Sequence, residues 1–215
     1  MTNITNGVWS FLNSEPSIKK DLSRGIINNM ALAKHIIKAK NLDGSVDAVI
    51  SAIRRYITEE KYESKFQSAE KIIKSSRIST KNKIALITMK RDAQIIELLP
   101  KVFPLIELAR GDVMRLSEGK ESIKLLVDEK NRQKIVDIFP SGKIVGVKKN
   151  LSEINIHFGP GSGESVGVLA TIMNELAVND IKIIESIGCL PEFMIFVDTK
   201  DILKAHEILI RLAED

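Results

Sequence analysis

The sharpest alternation of apolar and polar positions lies near the end of the chain, within Glu153–Leu212. Its start has the period of two that predicts a half-buried strand, carried by Ile154, Ile156 and Phe158. A glycine-rich loop follows, and then a helical period whose apolar face is Val168, Leu169, Ile172, Met173, Leu176 and Ala177. Apolar runs from Ile181 and Phe193 predict two more strands, and a stripe ending at Leu212 predicts a second helix.

The same order appears in weaker form in residues 84–150. The predicted strands there are Ile84–Met89, Val113–Leu116, Ile123–Val127 and Ile144–Val147, and the predicted helices are Ala93–Ala109 and Arg132–Phe139. Pro100 and Pro104 must bend or interrupt the first of these helices. We call residues 84–150 the first repeat and residues 151–215 the second. They begin about 70 residues apart, which indicates a duplication of a ferredoxin-like unit.

Residues 1–58 have the apolar spacing of three short helices. The first starts near Pro16, the second runs from Asn28 or Asn29 to Lys40, and the third follows Ser45 as its N-cap. The predicted inner face of the third helix is Val46, Val49, Ile50, Ile53 and Ile57. This outline is that of a helix-turn-helix or winged-helix module.

A DNA-binding interpretation of this module places Ser51, Arg54 and Arg55 of the third helix toward the DNA. Residues 1–83 hold 15 basic and 8 acidic residues, a net charge of +7, whereas residues 84–215 hold 17 and 20, a net charge of −3. A net positive charge on the first part of the chain favours binding to nucleic acid. A solvated lysine-rich surface on a small three-helix cap that packs on the rest of the protein explains the same pattern.

Residues 59–83 are predicted to form a connecting helix and a leading strand. The helix is heavily charged but carries a narrow apolar seam, formed by Tyr62, Phe66, Ala69 and Ile73. Such a seam packs either against its own copy in a dimer or along its own domain, and the spacing fits both.

Composition narrows the class of protein. Apolar residues make up 44% of the 215 residues and charged residues 28%, which is typical of a globular protein. Cys189 is the single cysteine, and this excludes an intrachain disulfide framework. No apolar run approaches the ~18 residues of a membrane span, and the first residues lack a signal-peptide pattern. We therefore expect a cytoplasmic protein without a membrane partner.

The sequence contains no recognisable enzyme motif. His35, His157 and His206 are isolated from one another, and Cys189 has no neighbouring histidine or cysteine. The glycine-rich loop lacks the Gly-Lys-Ser/Thr of a phosphate loop and the glycine spacing of a dinucleotide site. We therefore predict a non-enzymatic protein with no catalytic residue, no metal and no cofactor.

The order of elements in the second repeat, with the run from Glu164 to Ile187, resembles an ACT domain. ACT domains are regulatory modules that bind small ligands, most often amino acids, and the tandem arrangement is similar to that of aspartokinases. In those tandem regions a strand that precedes the inserted unit completes the sheet of the other. The resemblance implies that Arg77–Thr80 does so here, since the second repeat lacks its own last strand.

The resemblance also implies a ligand site at the loop before the second repeat's first helix. The expected ligand residues there are Gly161, Gly163, Glu164, Ser165, Val166 and Gly167. Exposed amides of a glycine-rich loop at a helix start suit a carboxylate. A second contact region is expected at Asn179, Asp180 and Ile181. The corresponding loop of the first repeat, Arg91–Gln94, contains no glycine, so the resemblance gives no ligand site there.

Together these patterns predict an α+β protein: a three-helix, helix-turn-helix-like domain (1–58), a connector (59–83) and two ferredoxin-like βαββαβ ACT units (84–150 and 151–215). The hypothesis is a homodimeric regulator that senses an amino acid allosterically and controls transcription through DNA. The rival is a regulatory subunit that docks onto an amino-acid biosynthetic enzyme. An ACT fold used only for pairing subunits is the third possibility.

Overall fold

The computed structural model describes residues 4–23, 25–59 and 63–214. The chain divides into two compact units, which we call the N-terminal unit (Met1–Ser68) and the C-terminal unit (Ala69–Asp215). Among the described residues no helix is long and apolar enough to cross a membrane.

The described residues of the N-terminal unit form four helices before the connector: α1 (Ile4–Ser14), α2 (Pro16–Ser23), α3 (Asn29–Lys40) and α4 (Val46–Glu59). Helix α1 precedes the three helices that the apolar spacing predicted. Gly7 and its polar neighbours are weak helix formers, but Val8, Phe11 and Leu12 are buried in the helical core. Gly7 also allows a close approach, since a Cβ there would lie 2.8 Å from the Leu42 side chain.

The N-caps of α3 and α4 are residues that the sequence predicted, Asn28 and Ser45. The Asn28 side chain accepts hydrogen bonds from the amides of Met30 and Ala31 at 3.0 and 3.1 Å, and Ser45 Oγ accepts one from the Ala48 amide at 3.2 Å. The inner face of α4 differs from the prediction at its end. Ile57 is 37% exposed, while the buried positions are Val49, Ala52, Ile53 and Tyr56.

Helix α5 (Glu63–Lys74) connects to the sheet. Ala69, Ile72 and Ile73 are buried in the same hydrophobic cluster as residues of the second repeat, so this part of the helix packs along its own domain. Of the other two predicted seam residues, Tyr62 lies outside the described residues, as does the side chain of Phe66.

The C-terminal unit contains one antiparallel sheet of six strands in the order β2-β3-β1-β4-β6-β5. The strands are β1 (Arg77–Lys90), β2 (Met114–Glu118), β3 (Ser122–Asp128), β4 (Ile144–His157), β5 (Ile183–Cys189) and β6 (Glu192–Asp198). The helices are α6 (Ala93–Leu98), α7 (Arg132–Val136), α8 (Val168–Val178) and α9 (Ile202–Glu214).

Strands β1 and β4 each serve both repeats. The first part of β1, Arg77–Lys81, pairs with the last part of β4, and Ile84–Met89 pairs with its first part. The register shifts between the two parts, next to Lys83 and Asn150, which both have positive φ. The pairing confirms that the segment before the first repeat completes the sheet of the second.

The predicted helix over Ala93–Ala109 is shorter than expected. Helix α6 ends at Leu98, and two 3₁₀ segments follow, Leu99–Leu105 and Leu108–Arg110. Pro100 and Pro104 lie in the first of these segments, where their missing amide hydrogens end the α-helical pattern. Phe103, in the same segment, is 58% exposed.

The two halves of the sheet pack face to face. A buried cluster joins Ile84, Leu86 and Leu126 of the first repeat's side to Leu151, Met194 and Phe196 of the second's. Ion pairs cross the same space between strands that are not neighbours: Lys124 of β3 with Glu185 of β5, and Arg115 of β2 with Glu153 of β4. Separate clusters bury the helices of each repeat on the outer faces, which gives four layers.

Candidate ligand site

The loop between β4 and α8 has a backbone that needs glycine at defined points. We call residues 159–167 the glycine loop. Gly161 and Gly167 have φ of +84° and +96°, a conformation that L side chains disfavour. Gly167 is the N-cap position of α8, and no side chain caps this helix in the described chain. The first amides of α8 therefore lack the side-chain acceptor that a serine or aspartate would supply.

A cavity of about 640 Å³ opens beside this helix start. Three of the predicted ligand residues line it, namely Gly163, Ser165 and Gly167. Gly161 lines an adjoining hollow of about 380 Å³, which shares Gly163 with the cavity. Glu164 and Val166 belong to the same loop but do not line the cavity, and Val166 is 67% exposed.

Most of the cavity wall comes from residues that the sequence pattern did not indicate. Leu190, Glu192 and Phe193, at the turn between β5 and β6, line the same cavity, and the Leu190 side chain lies beside Gly163 of the glycine loop. The pairing of β6 with β4 brings them there, since Glu192 lies opposite His157 and the Phe158 amide donates to the Pro191 carbonyl at 2.8 Å. Only the strand pairing identifies this wall.

The second predicted contact region lies at the other end of α8. Asn179 donates from its side chain to the Glu175 carbonyl at 2.8 Å, and its own carbonyl accepts from Lys204 Nζ at 2.7 Å. Asp180 has a φ of +60°, and Ile181 is 6% exposed within the core of the second repeat. The structure does not bring these three residues to the cavity of the same chain.

Two polar pairs lie on the strands next to the cavity, one on its wall and one between the sheet layers. Glu192 accepts a hydrogen bond from Asn155 Nδ2 at 2.8 Å, which fixes its carboxylate. Glu153 lies two residues before Asn155 and pairs with Arg115 at 3.1 Å, with its side chain 4% exposed. Burial raises the pKa of Glu153, even though the Arg115 charge favours the carboxylate. The pair links the two layers.

The corresponding loop of the first repeat carries its own carboxylate. Asp92 accepts a hydrogen bond from the Gln94 amide at 2.9 Å and pairs with Lys143. The hydrogen bond from Lys143 holds the pKa of Asp92 below its usual value. The start of α6 is thus capped by the protein itself, in contrast to the start of α8.

The predicted DNA contacts Ser51, Arg54 and Arg55 are all exposed on α4. Arg55 Nη2 donates to Thr5 Oγ1 of α1 at 2.9 Å. Lys34, Lys38 and Lys40 of the preceding helix are exposed as well. In the described part of the chain, no group of three or more histidine, cysteine, aspartate or glutamate side chains is placed to hold a metal ion.

Solved structures with a similar fold include aspartokinases. The aspartate kinase of Clostridium acetobutylicum, described as an allosteric enzyme, has a TM-score of 0.51 and 16% identity over 63% of this chain and 34% of its own. A structure of aspartokinase alpha and beta subunits has a TM-score of 0.52 and 15% identity over 64% and 97%. Escherichia coli aspartokinase III in complex with aspartate and ADP has a TM-score of 0.50 and 14% identity over 64% and 33%.

This chain therefore spans about a third of the two long aspartokinase chains that it resembles. No protein-family model and no curated protein matches its sequence. At these identities the likeness establishes the fold alone, and it supports the expected ACT-type fold of mixed helices and antiparallel sheet.

Proposed function

We propose that this protein is a non-catalytic regulator that binds an amino acid in the cavity beside α8, and that its two repeats are ACT units. The observation that carries the proposal is the uncapped start of α8, where a glycine loop with positive φ borders a cavity of about 640 Å³. Cavities of this size are typical of small-molecule sites.

The walls offer a partner for each charged end of an amino acid. The free amides at the start of α8 and the positive end of its dipole attract the carboxylate. Glu192, held in place by Asn155, is the acid available to the ammonium group. Glu164 and Val166 shape the same loop, and their ordering on binding is the differential contact that a switch requires.

Asn179, Asp180 and Ile181 enter the proposal through a second copy of the chain. They lie away from the cavity of their own chain. In ACT domains, which the second repeat resembles, the ligand site commonly lies across a dimer interface. We therefore propose a homo-oligomer in which the α8–β5 corner of one protomer approaches the glycine loop of its partner.

A screen of the full chain against the twenty amino acids tests the effector. At about 100 times its dissociation constant, a ligand adds roughly 2.7 kcal/mol of stability. At about 2–4 °C per kcal/mol, this raises Tm by several degrees. Titration calorimetry is expected to give one molecule per chain, because Asp92 already caps the corresponding helix of the first repeat. A screen in which no amino acid shifts Tm would contradict the proposal and favour an ACT fold used only for pairing subunits.

The output that we propose is DNA binding by the N-terminal unit. Residues 1–83 carry a net charge of +7, and Ser51, Arg54 and Arg55 are exposed on one helix. Replacing Arg54 or Arg55 with alanine is expected to weaken binding of the full chain to duplex DNA and to lower its salt slope by about one each. Arg211→Ala, an exposed change on α9, is the matched control and is expected to leave binding unchanged.

The enzyme-docking alternative predicts a different result. A protein that docks onto a biosynthetic enzyme would show no affinity for duplex DNA at low salt and would co-purify with that enzyme. Neither result bears on the proposed amino-acid site, because the effector screen tests the cavity of the C-terminal unit and not DNA binding.

A further inference from the structure

Apolar side chains make up much of the wall of the cavity beside α8, outside the glycine loop. Phe158, Val168 and Phe193 form buried parts of it, with exposures of 2%, 4% and 5%. Leu169 and Leu190 complete the wall and are 45% and 61% exposed. Two large leucines that remain exposed around the same opening are the expected lining of a site that an apolar group covers.

The charge on the cavity wall also limits which ligand side chains can bind. Glu192 is the one ionisable side chain among the described residues that line the cavity. The proposed function already uses this carboxylate for the ammonium group of the effector. On the wall that a single chain supplies, an acidic ligand side chain would meet a like charge and no cation, and a basic one would find no second carboxylate. Asp180 of an approaching second copy would add a carboxylate, so binding of L-lysine is the direct test against a basic ligand.

We infer that the effector is an amino acid with an apolar, uncharged side chain, of the kind of leucine or phenylalanine. The inference rests on the proposed function and names the ligand class of that same site. The side chain of the effector lies against Phe158, Phe193 and the two exposed leucines. Since each buried CH₂ gives about a fourfold gain in affinity, leucine is expected to bind at least about tenfold more tightly than alanine.

Titration calorimetry on the full chain at neutral pH tests this with L-leucine, L-phenylalanine, L-alanine, L-aspartate and L-lysine. Leu169→Ala removes apolar surface from the wall and is expected to weaken leucine binding by about tenfold. Leu169→Glu adds a charge to the wall and is expected to abolish binding, while an acid in the first turn of α8 preserves the helix. The matched control is Leu203→Glu on α9, because Leu203 is 81% exposed and does not line the cavity.

The outcomes separate this inference from the proposed function. Binding of leucine or phenylalanine, lost in Leu169→Glu and kept in Leu203→Glu, supports both. Binding of aspartate or lysine without leucine or phenylalanine overturns the apolar ligand class and leaves the amino-acid sensor in place. Silence of all twenty amino acids in the screen overturns the proposed function itself. Leucine binding that is equal in Leu169→Glu and the unmodified chain overturns the assignment of the cavity as its site.

Discussion

Replacing Phe196 with alanine is expected to lower the free energy of unfolding of the C-terminal unit by about 3–5 kcal/mol. Phe196 lies between the two halves of the sheet, has no exposed surface, and packs in a cluster with Leu151 and Met194. Both layers are fixed by strand pairing, so neither can move in to fill the space that the ring leaves. Urea unfolding of the full chain, followed by circular dichroism, measures the loss as a lower midpoint at unchanged slope.

The matched control is Phe103→Ala, the same chemical change at a site that is 58% exposed. It is expected to change the free energy of unfolding by no more than about 0.5 kcal/mol, as for most surface substitutions. Equal effects of the two substitutions would contradict the face-to-face packing of the sheet halves.

The elements that the sequence predicted well carry their own burial pattern. The strand predicted at Phe193–Val197 is observed as β6. Of the apolar face predicted from Val168, α8 buries Val168, Ile172 and Leu176, while Leu169 and Ala177 are exposed. One face of each element packs on a core and the other meets solvent or a second layer, so the local period reports the element directly.

The continuity of the long strands could not be predicted in this way. The middle of β1, from Lys81 to Lys83, is polar and partly exposed, so the pattern suggested two short strands instead of one. Burial patterns report which face of a strand is covered and contain no information on its hydrogen-bonding partner. The family resemblance supplied the pairing of Arg77–Thr80 with the second repeat. Neither the pattern nor the resemblance predicted that β4 runs unbroken through both repeats.

Only part of the candidate site could be predicted, again because a local pattern contains no information on strand pairing. The glycine loop is contiguous in sequence, and its glycines indicate an unusual backbone wherever the loop lies. The rest of the wall, which includes Leu190 and Phe193, lies further along the chain and reaches the loop through the pairing of β6 with β4. Its leucine and phenylalanine resemble ordinary core positions until that pairing is known.

Replacing Gly167 with valine is expected to abolish effector binding and to cost about 1–3 kcal/mol of stability. Gly167 has a φ of +96° at the start of α8, where a β-branched side chain is strained. The chain relieves that strain by moving the glycine loop, which displaces the amides that the proposed carboxylate uses. A Tm shift with L-leucine, the probe of the apolar class, measures the loss: the shift is expected to disappear at concentrations that stabilise the unmodified chain.

Gly142→Val is the matched control for this change. Gly142 lies in a turn of the first repeat, outside the left-handed region, with no atom within 4 Å of the position that a Cβ would take. It is expected to keep both its stability and the full Tm shift. Retention of leucine binding by Gly167→Val would show that the ligand does not depend on the start of α8, and the site would then have to lie elsewhere in the C-terminal unit.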